Sequence, residues 1–139
     1  MPSAEETANR LHTAAVRLLR MARREDAASG LSAQRLSALS VIVFAGPLSL
    51  ADLAREEQVR APTMTRIVDA LVGAGLVTRD TDPADRRAVR IAATEEGRSL
   101  LSEGRRRRVH AITERLARLA ESERRALERG VELIERLTR

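Results

Sequence analysis

The 139-residue sequence contains no cysteine, no tryptophan, no tyrosine and no lysine, and Phe44 is its only aromatic side chain. Without cysteine there is no disulfide framework, no thiolate metal site and no thiol redox switch, and the composition suits a reducing cytoplasm. Without aromatic platforms, single-strand nucleic-acid binding by base stacking loses its usual means. No apolar run approaches the ~18 residues of a membrane-spanning helix, and the opening MPSAEETANR holds no hydrophobic signal core. A cytoplasmic protein with no membrane partner is therefore expected. Catalytic equipment is equally thin. The chain has two histidines, His12 and His110, no phosphate-cradling glycine loop and no paired carboxylates in a plausible cleft. No enzyme, cofactor or catalytic site is expected. Two histidines far apart in the chain also make a poor soft-metal site, although carboxylates could complete a hard one.

What is present is charge carried by arginine. All 25 basic residues are arginine, against 20 acids, for a formal charge of +5. That balance favours an anionic partner. Its distribution is less simple. Between Ser49 and Ala92 the arginines are Arg55, Arg60, Arg66, Arg79, Arg86, Arg87 and Arg90, and the acids are Asp52, Glu56, Glu57, Asp69, Asp80, Asp82 and Asp85. The stretch is formally neutral, so anion binding there depends on where the arginines point.

Apolar residues at helical spacing predict a first helix over residues 5 to 27, with Leu11, Ala15, Leu18, Leu19 and Ala22 on one face and Gly30 as its stop. Ser32 caps a second helix through about Ala45, whose last turns, Val41 to Phe44, are apolar all round and so read as central. Gly46-Pro47 ends it, and Pro47-Leu48 can add a minor strand. Ser49 caps a third helix, ending near Glu57, with Asp52 placed for a capping box. Gln58 to Arg60 form a turn, and Pro62 suits the first turn of a fourth helix. There Met64, Ile67, Val68 and Leu71 form the buried stripe, which turns Pro62, Arg66 and Asp69 outward with Thr63 and Thr65 beside them. Gly75 stands where a left-handed residue closes a helix. An amphipathic helix with a solvated face would carry the same pattern. A helix that reads a major groove requires it.

Strand character follows at Leu76 to Asp80 and Ala88 to Ala92, joined by the turn-rich loop TDPADRR. An arginine at such a tip can enter a narrow minor groove, and Asp85 is placed to hold the guanidinium of Arg87. A solvated turn with a surface ion pair is the plainer reading. Thr94 caps a long fifth helix with Glu95 and Glu96 in its first turn and Leu101, Val109, Ile112, Leu116 and Leu119 as its apolar face. Gly104, in its interior, is a candidate bend. Four consecutive arginines, Arg105 to Arg108, cover every side of the helix, so at least one guanidinium turns inward, toward an acid of another helix, a phosphate or a pocket. A sixth helix, Glu121 to Leu137, carries Leu127, Val131, Ile134 and Leu137 at helical spacing. The first, fifth and sixth helices have more apolar surface than the rest of the chain can cover, which predicts a homodimer.

The stretch VRAPTMTRIVDALVGAGLVTRDTDPADRRAVRIAATEEG resembles the MarR family of bacterial winged-helix transcription regulators, and the element order matches that family along nearly the whole chain. The wing motif D-x-R-A falls on Asp85, Arg86, Arg87 and Ala88. The resemblance implies a mainly α fold with a small β-hairpin in a single domain, 1–139. A winged helix-turn-helix DNA-binding lobe would span 31–94, and a helical dimerisation region would combine 1–30 with 95–139. It implies a homodimeric repressor on a pseudo-palindromic double-stranded operator, with the fourth helix in the major groove and the wing in the minor groove. Arg60, Pro62, Thr63, Thr65 and Arg66 are the expected contacts of the recognition helix. Asp85, Arg86 and Arg87 are those of the wing. Release by a small aromatic or phenolic ligand between the lobes is a further implication, with His12, Arg17 and Phe44 as loose candidates. Ala120 departs from the family's usual polar helix cap, and Arg60-Ala61 lie where the family varies, so the operator sequence does not carry over. A winged-helix protein-interaction module without DNA binding is the competing class.

Overall fold

The computed structural model describes residues 1–139. Six helices and one hairpin follow in order: α1 (Ala4–Arg23), α2 (Ala33–Ala45), α3 (Leu50–Glu56), α4 (Ala61–Gly73), β1 (Val77–Thr81), β2 (Val89–Ala93), α5 (Glu95–Leu116) and α6 (Glu121–Leu137). Four of the six helix starts are set by hydroxyl caps. The side chains of Ser3, Ser32, Ser49 and Thr94 each accept the backbone N–H of the residue three positions on, at 3.1–3.2 Å. The capping box expected at Ser49 is half formed, because the Asp52 carboxylate takes the Arg55 guanidinium instead of the Ser49 N–H. At α6, where Ala120 has no side chain to offer, the Glu123 carboxylate accepts the Ala120 N–H at 2.8 Å.

Three expectations shift. α1 ends at Arg23, and Arg24–Ser29 tighten into a 3-10 turn before the left-handed Gly30. Both strands begin one residue later than expected, since Leu76 is spent on closing α4: its N–H donates to Leu71 O at 3.0 Å while Gly75 (φ 74°) donates to Val72 O. Helix α2 packs against α3, α4, α5 and β2 and is central, yet Phe44 is 82% exposed. It stands about 200° around the helix from buried Ile42 and so points away from the core.

The hairpin pairs antiparallel from Val77↔Ala93 to Thr81↔Val89, and Leu48 adds the expected minor edge by exchanging two backbone hydrogen bonds with Ile91. The buried core lies between Ala38 and Ile91, with Leu39, Ile42, Leu53, Met64, Leu71 and Ile91 at its centre. The other helices contribute little to it. α6 has no buried residue, α1 buries Ala22, and α5, unbroken through Gly104, buries Gly97 and Gly104. No single helix is long and apolar enough to cross a membrane.

The corner between α4, the hairpin and α5 is tight. Thr94 Oγ1 donates to Gly75 O at 2.7 Å and accepts the Gly97 N–H. A Cβ on Gly97 would fall 2.2 Å from the carbonyl oxygen of Leu76, a backbone atom that cannot swing aside. Gly97→Ala is expected to lower stability by about 1–3 kcal/mol, read as a lower denaturation midpoint. An unchanged midpoint would show that the corner has room to give.

Candidate nucleic-acid interface

Helices α3 and α4 are joined by a turn whose backbone closes on itself: Gln58 N–H donates to Arg55 O and Val59 N–H to Ala54 O. Gln58 adopts a left-handed φ of 55°, and Val59 packs against the core, which fixes the start of α4 relative to α3. Ser37 Oγ donates to Glu57 Oε1 at 2.9 Å and ties the same turn to α2. Arg60 then serves as N-cap without a side-chain hydrogen bond to α4, so the positive end of the helix stays open to solvent.

Along α4 the buried stripe is Met64, Ile67, Val68 and Leu71, as expected. On the opposite side Pro62, Thr63, Arg66 and Asp69 are exposed. Thr65 is half-buried, and its hydroxyl donates to Ala61 O at 2.9 Å, which leaves it only lone pairs to offer. The Asp69 carboxylate, one turn past Arg66, is paired with the Arg79 guanidinium from β1.

The wing differs from expectation in one respect. Asp85 does not hold the guanidinium of Arg87. Its Oδ1 accepts the backbone N–H of Arg87 at 3.0 Å, an Asx turn that shapes the chain and leaves the side chain free. The acid that pairs with an arginine is Asp82, whose carboxylate accepts the Ala84 N–H at 2.9 Å and Arg90 Nε at 3.3 Å. Arg90 also donates to Pro47 O at 3.4 Å and so tethers the loop to the end of α2. Asp82 and Arg90 were missed from the sequence. The usable signal was the Asx spacing Asp82-Pro83-Ala84, but the arginine partner depends on strand register.

These pairings leave the stretch neutral in count, with Glu56, Glu57, Asp80 and Asp85 in no ion pair, but they divide its arginines into two groups. Arg55, Arg79 and Arg90 are matched with Asp52, Asp69 and Asp82. The other four, Arg60, Arg66, Arg86 and Arg87, are exposed and have no acidic partner. They sit at the start of α4, on its outward face and at the wing tip.

Comparison with known proteins identifies the family. Residues 31–89 match the MarR family. The chain is 37% identical over 127 residues to the uncharacterized HTH-type transcriptional regulator Mb0904 of Mycobacterium bovis, covering 91% of this chain and 89% of that protein. The chain belongs to the MarR family. Among solved structures, the transcriptional regulator Tm0710 of Thermotoga maritima superimposes with a TM-score of 0.85 at 22% identity, over 96% of this chain and 94% of that one. A variant of MepR from S. aureus, bound to an oligodeoxyribonucleotide, gives 0.75 at 16% identity, over 96% and 98%. As a MarR-family member the protein is a winged-helix, DNA-binding transcriptional regulator.

Away from this surface, a pocket of about 700 Å³ opens between α1, the 3-10 turn, α2 and α5, with Leu19, Arg23, Leu36, Ser40, Leu101 and Arg108 in its walls. The loose ligand candidates do not line it. Phe44 lies one turn past Ser40 and projects outward, His12 is exposed, and Arg17 borders a separate surface groove on α1.

The Ala84 N–H, followed by Arg90, holds the Asp82 carboxyl below the usual carboxylate range. Its folded pKa is thus below the unfolded value of about 3.9. The charged form therefore steadies the loop above that unfolded value, and the contribution is lost as pH falls through the lower folded value. An NMR titration is expected to move the Asp82 carboxyl and the Ala84 amide together, with a midpoint below that of free aspartate. A midpoint at the ordinary value would mean that the loop hydrogen bond is absent in solution.

Proposed function

We propose that the protein is a homodimeric repressor that reads a pseudo-palindromic duplex operator with two copies of α4 and two wings. The observation that carries the reading is the set of four exposed arginines without acid partners, Arg60, Arg66, Arg86 and Arg87, on two elements of one surface. In this reading residues 31–94 form the DNA-binding lobe, and 1–30 with 95–139 form the dimerisation region. Arg66 and Thr63 meet base edges, Pro62 packs on a thymine methyl, and Arg60 and Thr65 flank them. Thr65 acts as an acceptor, since its proton is used on its own helix. Arg87 enters the minor groove, oriented by Asp85 through the backbone, and Arg86 meets phosphate.

Selection of binding sites from random duplex DNA tests symmetry, spacing and base preference together. An inverted repeat is expected, and a single unpaired half-site would remove the dimeric reading. On the selected site Arg66→Ala is expected to cost about 1–3 kcal/mol and to relax preference at the base it reads. Arg87→Ala should weaken binding most on A·T-rich flanks. Equal loss on G·C flanks would make that arginine a plain phosphate contact.

Dimerisation is supported by the terminal helices. α6 repeats Leu127, Val131, Ile134 and Leu137 over its length and buries none of them, and Leu18 and Leu19 of α1 are half exposed. Ile134→Glu is expected to shift sedimentation from dimer to monomer at micromolar concentration. A variant that stays dimeric would place the contact elsewhere. For a small aromatic ligand, the pocket beside Arg23 and Arg108 is the site the geometry favours.

A further inference from the structure

The run Arg105–Arg108 plays no part in the reading surface, yet its four side chains have separate fates. Arg105 is exposed and unpaired, Arg106 pairs with Glu103 of its own helix, and Arg107 is half-buried with its Nε enclosed and unpartnered. Arg108 alone reaches another element. Its Nη1 donates to Asp26 Oδ1 of the 3-10 turn at 2.7 Å, and the two side chains retain 35% and 23% of their exposure. This pair meets the expectation that at least one arginine of the run turns inward.

The location gives that pair its significance. The winged-helix part is joined to the terminal helices by two covalent routes. One is α5, whose N-terminal end is built into the tight corner at Gly75 and Leu76 while its far end leads toward α6. The other is the segment after α1, where the 3-10 turn Arg24–Ser29 continues the first arm and the chain then bends 89° across residues 30–32 into α2. Arg108–Asp26 is the ion pair that ties these two routes together. From Asp26 the connection runs on through short hydrogen bonds. Ser29 Oγ donates to Asp26 O at 2.7 Å, and Leu31 N–H donates to Ser29 Oγ at 3.1 Å. Leu31 packs against the core, and Ser32 caps α2. Beside the pair lies the 700 Å³ pocket, with Arg108, Asp26 and Leu31 in its wall, so the turn faces open space on that side while it packs against α1 and α5 on the others.

We propose that Arg108 is a positioning residue: acting through Asp26, it fixes the angle of the winged-helix part against the terminal helices and thereby sets the half-site spacing that the protein accepts. This rests on the dimeric DNA reading above. An angular change at the bend is carried as a rigid rotation to α4 and the wing, and two such readers on one duplex convert the rotation into a change of separation. Contacts within each half-site are untouched, because neither Arg108 nor Asp26 lies on the reading surface.

The test uses the full chain and duplexes bearing the selected half-sites at the preferred spacing and at one base pair more or fewer. Wild type is expected to bind the off-spacing duplexes about tenfold more weakly, the cost of forcing the DNA to untwist or overtwist. Arg108→Gln and Asp26→Asn should reduce that ratio to about threefold or less, while the penalty for a wrong base inside a half-site stays at the wild-type value. Arg108→Lys, which keeps the charge, should restore most of the discrimination. In the DNA-free protein, hydrogen exchange at the Leu31 amide should quicken in Arg108→Gln with α4 amides unchanged. The proposal is overturned if Arg108→Gln keeps the wild-type spacing ratio, if it loses base preference and spacing preference together, or if Arg108→Lys fails as Arg108→Gln does. A wild type that binds no paired half-sites defeats the dimeric reading itself, and this proposal with it. That outcome is distinct from a wild type that discriminates spacing alongside variants that do so equally.

Discussion

The backbone of Gly75 and Leu76 is the point on which the proposed reading surface depends. Leu76 closes α4 through its N–H and accepts the Thr94 N–H through its carbonyl, and Gly75 O accepts the Thr94 hydroxyl. One dipeptide thereby fixes the end of α4, the start of β1 and the first turn of α5. The close approach is possible because position 97 carries no side chain. Orientation of the wing relative to α4 is inherited from this corner and reinforced by Asp69–Arg79, which joins the outward face of the helix to the strand.

Electrostatics on this surface work by placement. A neutral sequence count conceals a division of labour in which three arginines hold the scaffold in shape and four remain unpaired. Ion pairs at such exposure add little stability. Their effect is to position chain segments and to cancel carboxylates that would otherwise repel a polyanion. Arg90 does both, neutralising Asp82 while anchoring the wing loop to Pro47.

The parts of the fold legible in the sequence were those governed by local rules. Ser32, Ser49 and Thr94 cap helices where expected, Gly75 is left-handed, and the α4 stripe emerged from 3.6-residue periodicity alone. The outward placement of Arg66 followed from the same arithmetic, and the exposure of Arg86 and Arg87 from the turn-rich loop that carries them. What escaped were choices among partners. Asp85 had both a guanidinium and a backbone N–H within reach, and the N–H two residues on is already positioned by the turn, whereas a long side chain must lose rotamer freedom to meet it. Asp82–Arg90 and Asp69–Arg79 join separate elements, and a one-residue change in where a strand begins decides which side chains face each other. Phe44 was misplaced because an apolar run suggests burial without saying on which side the neighbours lie.

The confinement of the core to residues between Ala38 and Ile91 also orders events in time. Contacts within this short span close small loops, so the winged-helix part can collapse early and in a unimolecular step. α1 and α6 gain almost no burial from that collapse. If their apolar faces are covered by a second chain, as proposed, the last stage of folding becomes bimolecular, with a rate that rises with protein concentration while the first stage does not. The DNA-reading half would then be in place before the chain has met its partner.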